Sequence, residues 1–235
     1  MKSFRVHLIR HGLTDANLSG RYAGSTDVDL STEGIVRLNK LKGEATYPTV
    51  DKIFCSPLVR CRHTAKILYP EHDDLIIDKD FAECNLGEWE GKTPEELQAD
   101  KNFLQWLKNS ESVCPKGGER LSDFKSRVTS AFGRLVETVV KGDVKDAALV
   151  VHGGVIMTIL AAFGVPRAKF IDWDVNNGYG YSVRIMPSLW MRQKVVEVYS
   201  KVPYDLVHEN DEESTYIVDL VGGASESDEV SKNIN

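Results

Sequence analysis

The sequence predicts an α/β domain built around a largely parallel sheet. Short apolar strands alternate with amphipathic helices along most of the chain, the pattern of βα units. Two of the strands end in a His-Gly pair, Ile9-Arg10-His11-Gly12 and Val151-His152-Gly153-Gly154, and open α/β sheets present ligands beyond the carboxyl ends of their strands. The chain is 235 residues long, enough for one large domain with a full core.

The elements follow in order. Phe4 to Ile9 (FRVHLI) is an apolar strand that stops at Arg10. Ser31 or Thr32 caps a helix through Ile35, Leu38 and Leu41, whose 3–4 residue spacing forms one apolar face. Lys52 to Cys55 (KIFC) is a short strand. Ser56-Pro57 then opens a helix through Leu58, Ala65 and Leu68, with proline where an N–H would lack a partner anyway. Pro94 is expected to start a helix running to about Ser110. Arg120 to Val140 carries Leu121, Phe124, Val128, Phe132, Leu135 and Val139 on one stripe, a strong helical pattern. Ala147 to Val151 is a buried strand, and Val155 to Phe163 a buried helix. Tyr181 to Ile185 and Val195 to Tyr199 read as antiparallel strands around Pro187. The strand at Tyr181 to Ile185 is a candidate sheet edge that pairs between subunits; nothing in the sequence sets the oligomeric state.

Composition narrows the function. Lys and Arg number 29 against 35 Asp and Glu, a net charge of −6, which disfavours a general nucleic-acid binder. The charge is uneven. Nine of the acids and one base, Lys232, lie from Asp205 onward, so that segment carries −8 and the remainder +2. Residues 1–204 are therefore read as the domain and 205–235 as an acidic tail, partly disordered, with a short ordered element possible at Ser214 to Val221. The longest apolar stretch, Val155 to Phe163, is about half of the ~20 residues a bilayer span needs. Arg5, His7 and Arg10 interrupt any apolar leader. Cys55, Cys61, Cys84 and Cys114 match no zinc-site spacing and read as reduced thiols of a cytoplasmic protein. Cys55 and Cys61 flank Arg60, which leaves a redox-sensitive role open for either.

Chemistry concentrates at the two strand ends. Glycine after each histidine leaves room beside the imidazole. Arg10 precedes His11, Arg60 falls on the first turn of the helix after Ser56-Pro57, and Arg21 sits in a glycine-containing loop. Arginine holds a phosphate through fixed donors and stays charged, and helix N-termini add N–H groups; Gly153, directly after His152, is a further candidate to bind the phosphate. Glu83 and Glu88 in FAECNLGEWEG are candidate carboxylic acids. Such a set suits phosphoryl transfer to histidine. A neutral imidazole attacks phosphorus, arginines stabilise the charge on the equatorial oxygens, and a carboxyl group protonates the leaving oxygen. The scheme calls for no metal and no cofactor.

At these residues the chain resembles the histidine phosphatase superfamily, also called phosphoglycerate-mutase-like. Leu8-Ile9-Arg10-His11-Gly12 with Thr14 and Asn17 is similar to the family opening, and Gly20 to Gly34 to its following loop and helix. SPLVRCRHTA (Ser56 to Ala65) resembles the second-arginine motif. FAECNLGEWEG (Phe81 to Gly91) resembles the acid motif, GGERLSDFKSRV (Gly117 to Val128) the next helix, and VVHGGV (Val150 to Val155) the second-histidine motif. The resemblance covers about Phe4 to Ile185. It implies a three-layer α/β sandwich with a mostly parallel central sheet. It also implies that His11 becomes phosphohistidine, that Arg10, Arg60, His152 and Asn17 bind the phosphoryl group, and that Glu83 rather than Glu88 is the proton donor.

Other polar residues have plainer readings. Arg21 either touches substrate or pairs with a surface acid such as Asp27 or Asp29. His7 is expected to pack within its strand, and His63 to be exposed. Trp89 and Trp106 are candidates to line the pocket, with Trp106 more simply packing its own helix. The acid is followed by Cys84-Asn85-Leu86-Gly87-Glu88-Trp89, which resembles the small broad-specificity and alpha-ribazole phosphatases more than the mutases. The interval from Glu83 to Gly117 leaves little room for a mutase insertion. The expected activity is hydrolysis of a small phosphorylated metabolite. A cofactor-dependent phosphoglycerate mutase and a non-catalytic phosphate-sensing scaffold are the alternatives.

Overall fold

The computed structural model describes residues 2–204. The expected acidic tail, with its element at Ser214 to Val221, lies outside the described residues, as does His208.

Register brings the two histidine-bearing strands into step. β1 (Phe4–Arg10) and β4 (Asp146–Val151) are parallel neighbours, with Arg10 opposite Val151. The next residue on each strand is a histidine, so the pairing alone puts His11 beside His152. β2 (Lys52–Cys55) and β3 (Leu75–Ile77) extend the parallel sheet on the β4 side. On the other side lie β6 (Gly180–Ile185), β7 (Val196–Val202) and the two-residue β5 (Gly164–Val165), in the overall order β3-β2-β4-β1-β6-β7-β5. Only β6 runs against the rest, being antiparallel to both β1 and β7. The expected antiparallel pair is present, but β6 is an interior strand; β3 and β5 are the edges. Pro187 does not form a hairpin turn. It opens the short helix α7 (Pro187–Gln193) between the two strands.

Strand alternation sorts the core into two layers. Leu8, Phe54, Leu149 and Val151 face α5 (Leu121–Lys141) and α6 (Gly153–Phe163). Ile9, Ile53, Cys55, Ala148 and Val150 face α2 (Thr32–Glu44) and α3 (Val59–Leu68). The result is the expected α/β/α sandwich. Helix α5 has no side-chain cap at Arg120 but buries Phe124, Val128, Phe132, Leu135, Val136 and Val139. At roughly 1.5–3 kcal/mol per fully buried large apolar side chain, packing outweighs the missing cap.

Three helix starts differ from the sequence reading, two of them because of their capping. Helix α3 begins at Val59, after Pro57, because the Asp27 carboxylate accepts from Val59 N at 2.6 Å. Helix α4 (Lys101–Lys108) begins well after Pro94; Asp100 caps it by accepting from Asn102 N and Phe103 N. Helix α6 begins at Gly153 rather than Val155, with His152 as its N-cap residue. A third apolar cluster holds Tyr22, Leu86, Trp89, Leu97, Phe103 and Trp106. It binds the segment around α4 to the loop that follows the short helix α1 (Asp15–Leu18), over the carboxyl ends of the strands. Among the described residues no helix is long and apolar enough to cross a membrane.

Candidate active site

His11 leaves β1 with its ring buried and its Nδ1 2.7 Å from the carbonyl of Gly12. A carbonyl only accepts, so Nδ1 carries the proton and Nε2 keeps its lone pair. Gly12 does not adopt a positive φ. Its value is space, since a Cβ would stand 3.3 Å from Leu30 and 3.4 Å from Leu38. The residues just before β6 support this turn from beneath. Arg10 Nη1 donates to Val175 O at 2.7 Å and lies 3.9 Å from the Asp174 carboxylate. Asn177 Nδ2 donates to His11 O at 3.0 Å, and Gly178 N to Arg10 O at 3.0 Å. Asn17 Oδ1 accepts from Thr14 N and Thr14 Oγ1 in a reciprocal cap of α1, which aims the residue at the same pocket.

His152 lies beside His11, ring centroids 5.2 Å apart and planes at 64°. Its Nε2 hydrogen-bonds with Ser56 Oγ at 2.7 Å, and Cys61 Sγ sits 3.5 Å from the same nitrogen. Arg60 comes in from α3. Its guanidinium donates to the carbonyls of Thr26 at 2.8 Å and Gly24 at 2.7 Å, so it organises the 23–26 loop while facing the histidines. Arg10, Arg60 and His152 are each only 1% exposed. Burying such groups is costly without partners, and these bonds are the compensation.

Glu83 closes the site from the acid loop. Its Oε1 accepts from Cys84 N at 2.9 Å, and Oε2 from Gly154 N at 3.0 Å, on the first turn of α6. Glu90, seven residues on, ties this loop to the 23–26 loop. Its carboxylate accepts from Ser25 N and Thr26 N at 2.7 Å each, from the Ser25 and Thr26 hydroxyls, and from Leu86 N at 3.1 Å. Gly24 is required at this junction, because a Cβ there would meet Cys84 O at 1.9 Å.

The electrostatics suit the roles expected. Burial first, then Arg60 and Arg10, hold His11 well below its ordinary value, so it is neutral. His152 is lowered for the same reasons, burial leading and Arg60 next. Glu83 moves the other way: burial raises its carboxyl despite the Cys84 and Gly154 N–H groups and the nearby Arg60 and Arg127. A neutral imidazole and a carboxyl whose affinity for its proton is raised face the same pocket. Burial pushes the Cys61 thiol up to about 12 and the Cys55 thiol higher still, which does not suit reactive thiolates.

Of the residues singled out in the sequence, Arg10, His11, Asn17, Glu83 and Gly153 line the pocket. Arg60 and His152 lie a layer deeper. Arg21 goes elsewhere: it donates to Gly91 O at 2.6 Å and pairs with Glu96 at 2.9 Å, while Asp27 caps α3 and Asp29 pairs with His63. Trp89 and Trp106 are buried in the third cluster, with Trp89 Nε1 donating to Asp100, and neither lines the pocket. His7 packs in the sheet against Ser182. The sequence reading missed Tyr22, Ala23, Cys84 and Leu86 in the lining, and Asp174, Asn177, Glu90 and Gly154 in support. Only the VNNG stretch before β6 carried a usable signal, and only once β6 is known to pair with β1. Among the described residues no group of three or more His, Cys, Asp or Glu side chains is arranged to hold a metal ion.

Comparison with known proteins agrees with this geometry. The sequence profile of the histidine phosphatase superfamily (branch 1) matches residues 6–196. The chain is 28% identical over 178 residues to the adenosylcobalamin/alpha-ribazole phosphatase of Salmonella typhimurium, covering 74% of this chain and 87% of that one. The crystal structure of the alpha-ribazole phosphatase from Shigella flexneri superposes with a TM-score of 0.73 at 26% identity, over 88% of this chain and all of that one. The phosphoglycerate mutase from Thermus thermophilus gives 0.61 at 28% identity, over 86% of this chain and all of that one. The chain belongs to the histidine phosphatase superfamily, with the phosphoglycerate-mutase-like fold. Within it, the protein is a phosphatase.

Proposed function

We propose that the protein hydrolyses small phosphate monoesters without a metal, through a phosphohistidine on His11, with Glu83 as proton donor. The observation that carries this reading is the His11 Nδ1 bond to the Gly12 carbonyl, which leaves Nε2 unprotonated in a pocket shared with the Glu83 carboxyl. Nε2 attacks phosphorus. The bond from phosphorus to the ester oxygen breaks, and the Glu83 proton passes to that oxygen. Arg10, Arg60, His152, Asn17 and the Gly153 N–H hold the phosphoryl oxygens. Water then attacks phosphorus, its proton returns to Glu83, and His11 is released with inorganic phosphate.

Hydrolysis is favoured over mutase chemistry by the rest of the lining. Tyr22, Ala23, Gly24, Cys84 and Leu86 offer no cation for a second phosphate. Arg21, the arginine of the neighbouring loop, pairs with Glu96 at 2.9 Å instead. The same neutral lining favours esters whose alcohol carries no charge. Release of phosphate from p-nitrophenyl phosphate in excess EDTA tests the reading, with wild type active and His11→Ala inactive. Phosphate exchange between positions of phosphoglycerate, without net hydrolysis, would identify a mutase. Phosphate binding without either reaction would identify a sensing scaffold.

A further inference from the structure

Of the charged residues in the motif GGERLSDFKSRV, none of which the chemistry above gives a role, Glu119 and Arg127 pair with each other. They meet beneath the acid loop. Arg127 lies on α5, its guanidinium 4.9 Å from the centre of the Phe124 ring. A guanidinium has five N–H groups, and all five are used here. Nε donates to Glu119 Oε1 at 2.7 Å and Nη2 to Glu119 Oε2 at 2.9 Å. Nη1 donates to the carbonyls of Asp80 at 2.8 Å and Ala82 at 2.7 Å, and Nη2 to the carbonyl of Glu83 itself at 3.1 Å. Glu119 grips the other flank, its backbone N donating to Asn85 O at 2.8 Å. Residues on both sides of Glu83 are thus anchored to one helix by one ion pair.

We propose that Arg127, oriented by Glu119, is the positioning residue that sets the Glu83 carboxyl over the leaving-group oxygen. The inference rests on the reading of Glu83 as proton donor. The fork geometry matters more than the charge. Lysine at 127 keeps the charge but cannot hold three carbonyls and a bidentate carboxylate at once. Positioning of this kind is sensitive, since a misplacement of about 1 Å can cost roughly 100-fold in rate.

The test compares Arg127→Lys, Glu119→Gln and Glu83→Gln on two substrates, an alkyl phosphate that needs protonation to leave and p-nitrophenyl phosphate that does not. For Arg127→Lys the expected result is a fall of about 10- to 100-fold in kcat for the alkyl ester, about threefold or less for the nitrophenyl ester, and little change in inhibition by inorganic phosphate. Glu119→Gln repeats the pattern at smaller amplitude and serves if Arg127→Lys does not fold. Adding Arg127→Lys to Glu83→Gln costs nothing further on the alkyl ester. Equal losses on both esters, or full additivity with Glu83→Gln, overturn the inference while leaving Glu83 as donor. No leaving-group bias in Glu83→Gln itself removes the donor reading, and this inference with it.

Discussion

At the scale of single residues, the proposed chemistry turns on one hydrogen bond. The Gly12 carbonyl makes His11 a one-tautomer side chain, and burial with two arginines keeps it neutral. His11→Ala is therefore expected to lower turnover by at least about 1,000-fold, because a nucleophile has no partial substitute; phosphate release from p-nitrophenyl phosphate measures it. Glu83→Gln is expected to cost about 100- to 10,000-fold on alkyl esters and far less on nitrophenyl phosphate. The pH profile follows from the sign of the Glu83 shift. Burial raises its carboxyl above the ordinary 4.5, and the first step needs it protonated. Turnover of alkyl esters thus falls as pH rises through the raised value, and Glu83→Gln removes that limb. A profile unchanged by the substitution would assign the limb to another group. That His11, Arg10, Arg60, Glu83 and His152 gather at one place was legible in the sequence, because each lies in a recognisable motif at the end of a strand or the start of a helix or loop. Asn177 and Glu90 were not. They act by donating to, or accepting from, backbone far away in the chain, and neither residue type announces that in sequence.

At the scale of elements, the site is a consequence of strand pairing. The β1–β4 register places His11 beside His152 without any contact between the loops that follow. Helix α6 then aims the Gly154 N–H on its first turn at Glu83. The Ala23–Thr26 turn is a joint between elements, because it depends on Arg60 and Glu90 from two other parts of the chain and on the absence of a side chain at Gly24. Gly24→Ala is expected to destabilise by about 1–3 kcal/mol through overpacking, and to raise KM for phosphate esters by displacing the loop that Arg60 holds. Thermal melting and steady-state kinetics read the two effects, and an unchanged variant would show that the junction yields freely. Strands and the long α5 were legible because their apolar period is strong. The starts of α3 and α4 were misplaced because Asp27 and Asp100, not Pro57 and Pro94, cap them. For α3 that cap comes from 32 residues away, beyond any local pattern.

At the scale of the whole molecule, two layers of the core fix the sheet and a third cluster covers one end of it. The alternation of βα units was enough to read the sandwich. It was not enough to read the sheet edges, since a three-residue β3 and a two-residue β5 leave almost no period to detect. The buried histidines give the whole fold a pH dependence. His7, His11 and His152 are all lowered from 6.5, with burial the leading cause. Their unfolded forms take up protons below about pH 6.5 while the folded forms do not. Stability is full above that value and declines as pH falls toward the lowered folded values. Glu83, raised from 4.5, acts in the opposite direction, stabilising below 4.5 and losing that contribution as pH rises through its folded value. Asp174, raised from 3.8 mainly by burial, acts in the same direction as Glu83; with three histidines against these two carboxyls, the melting temperature is expected to fall between about pH 7 and about pH 5. His7→Gln should reduce the slope without touching the site, and an unaltered slope would mean that His7 is not one of the linked groups.

The phosphohistidine on His11 is tested most directly by rapid quenching during turnover of a phosphorus-labelled aryl phosphate, followed by peptide mapping. An acid-labile, alkali-stable label is expected on the peptide that contains His11, and no label in His11→Ala. A label on another residue, or turnover that persists in His11→Ala, would contradict it.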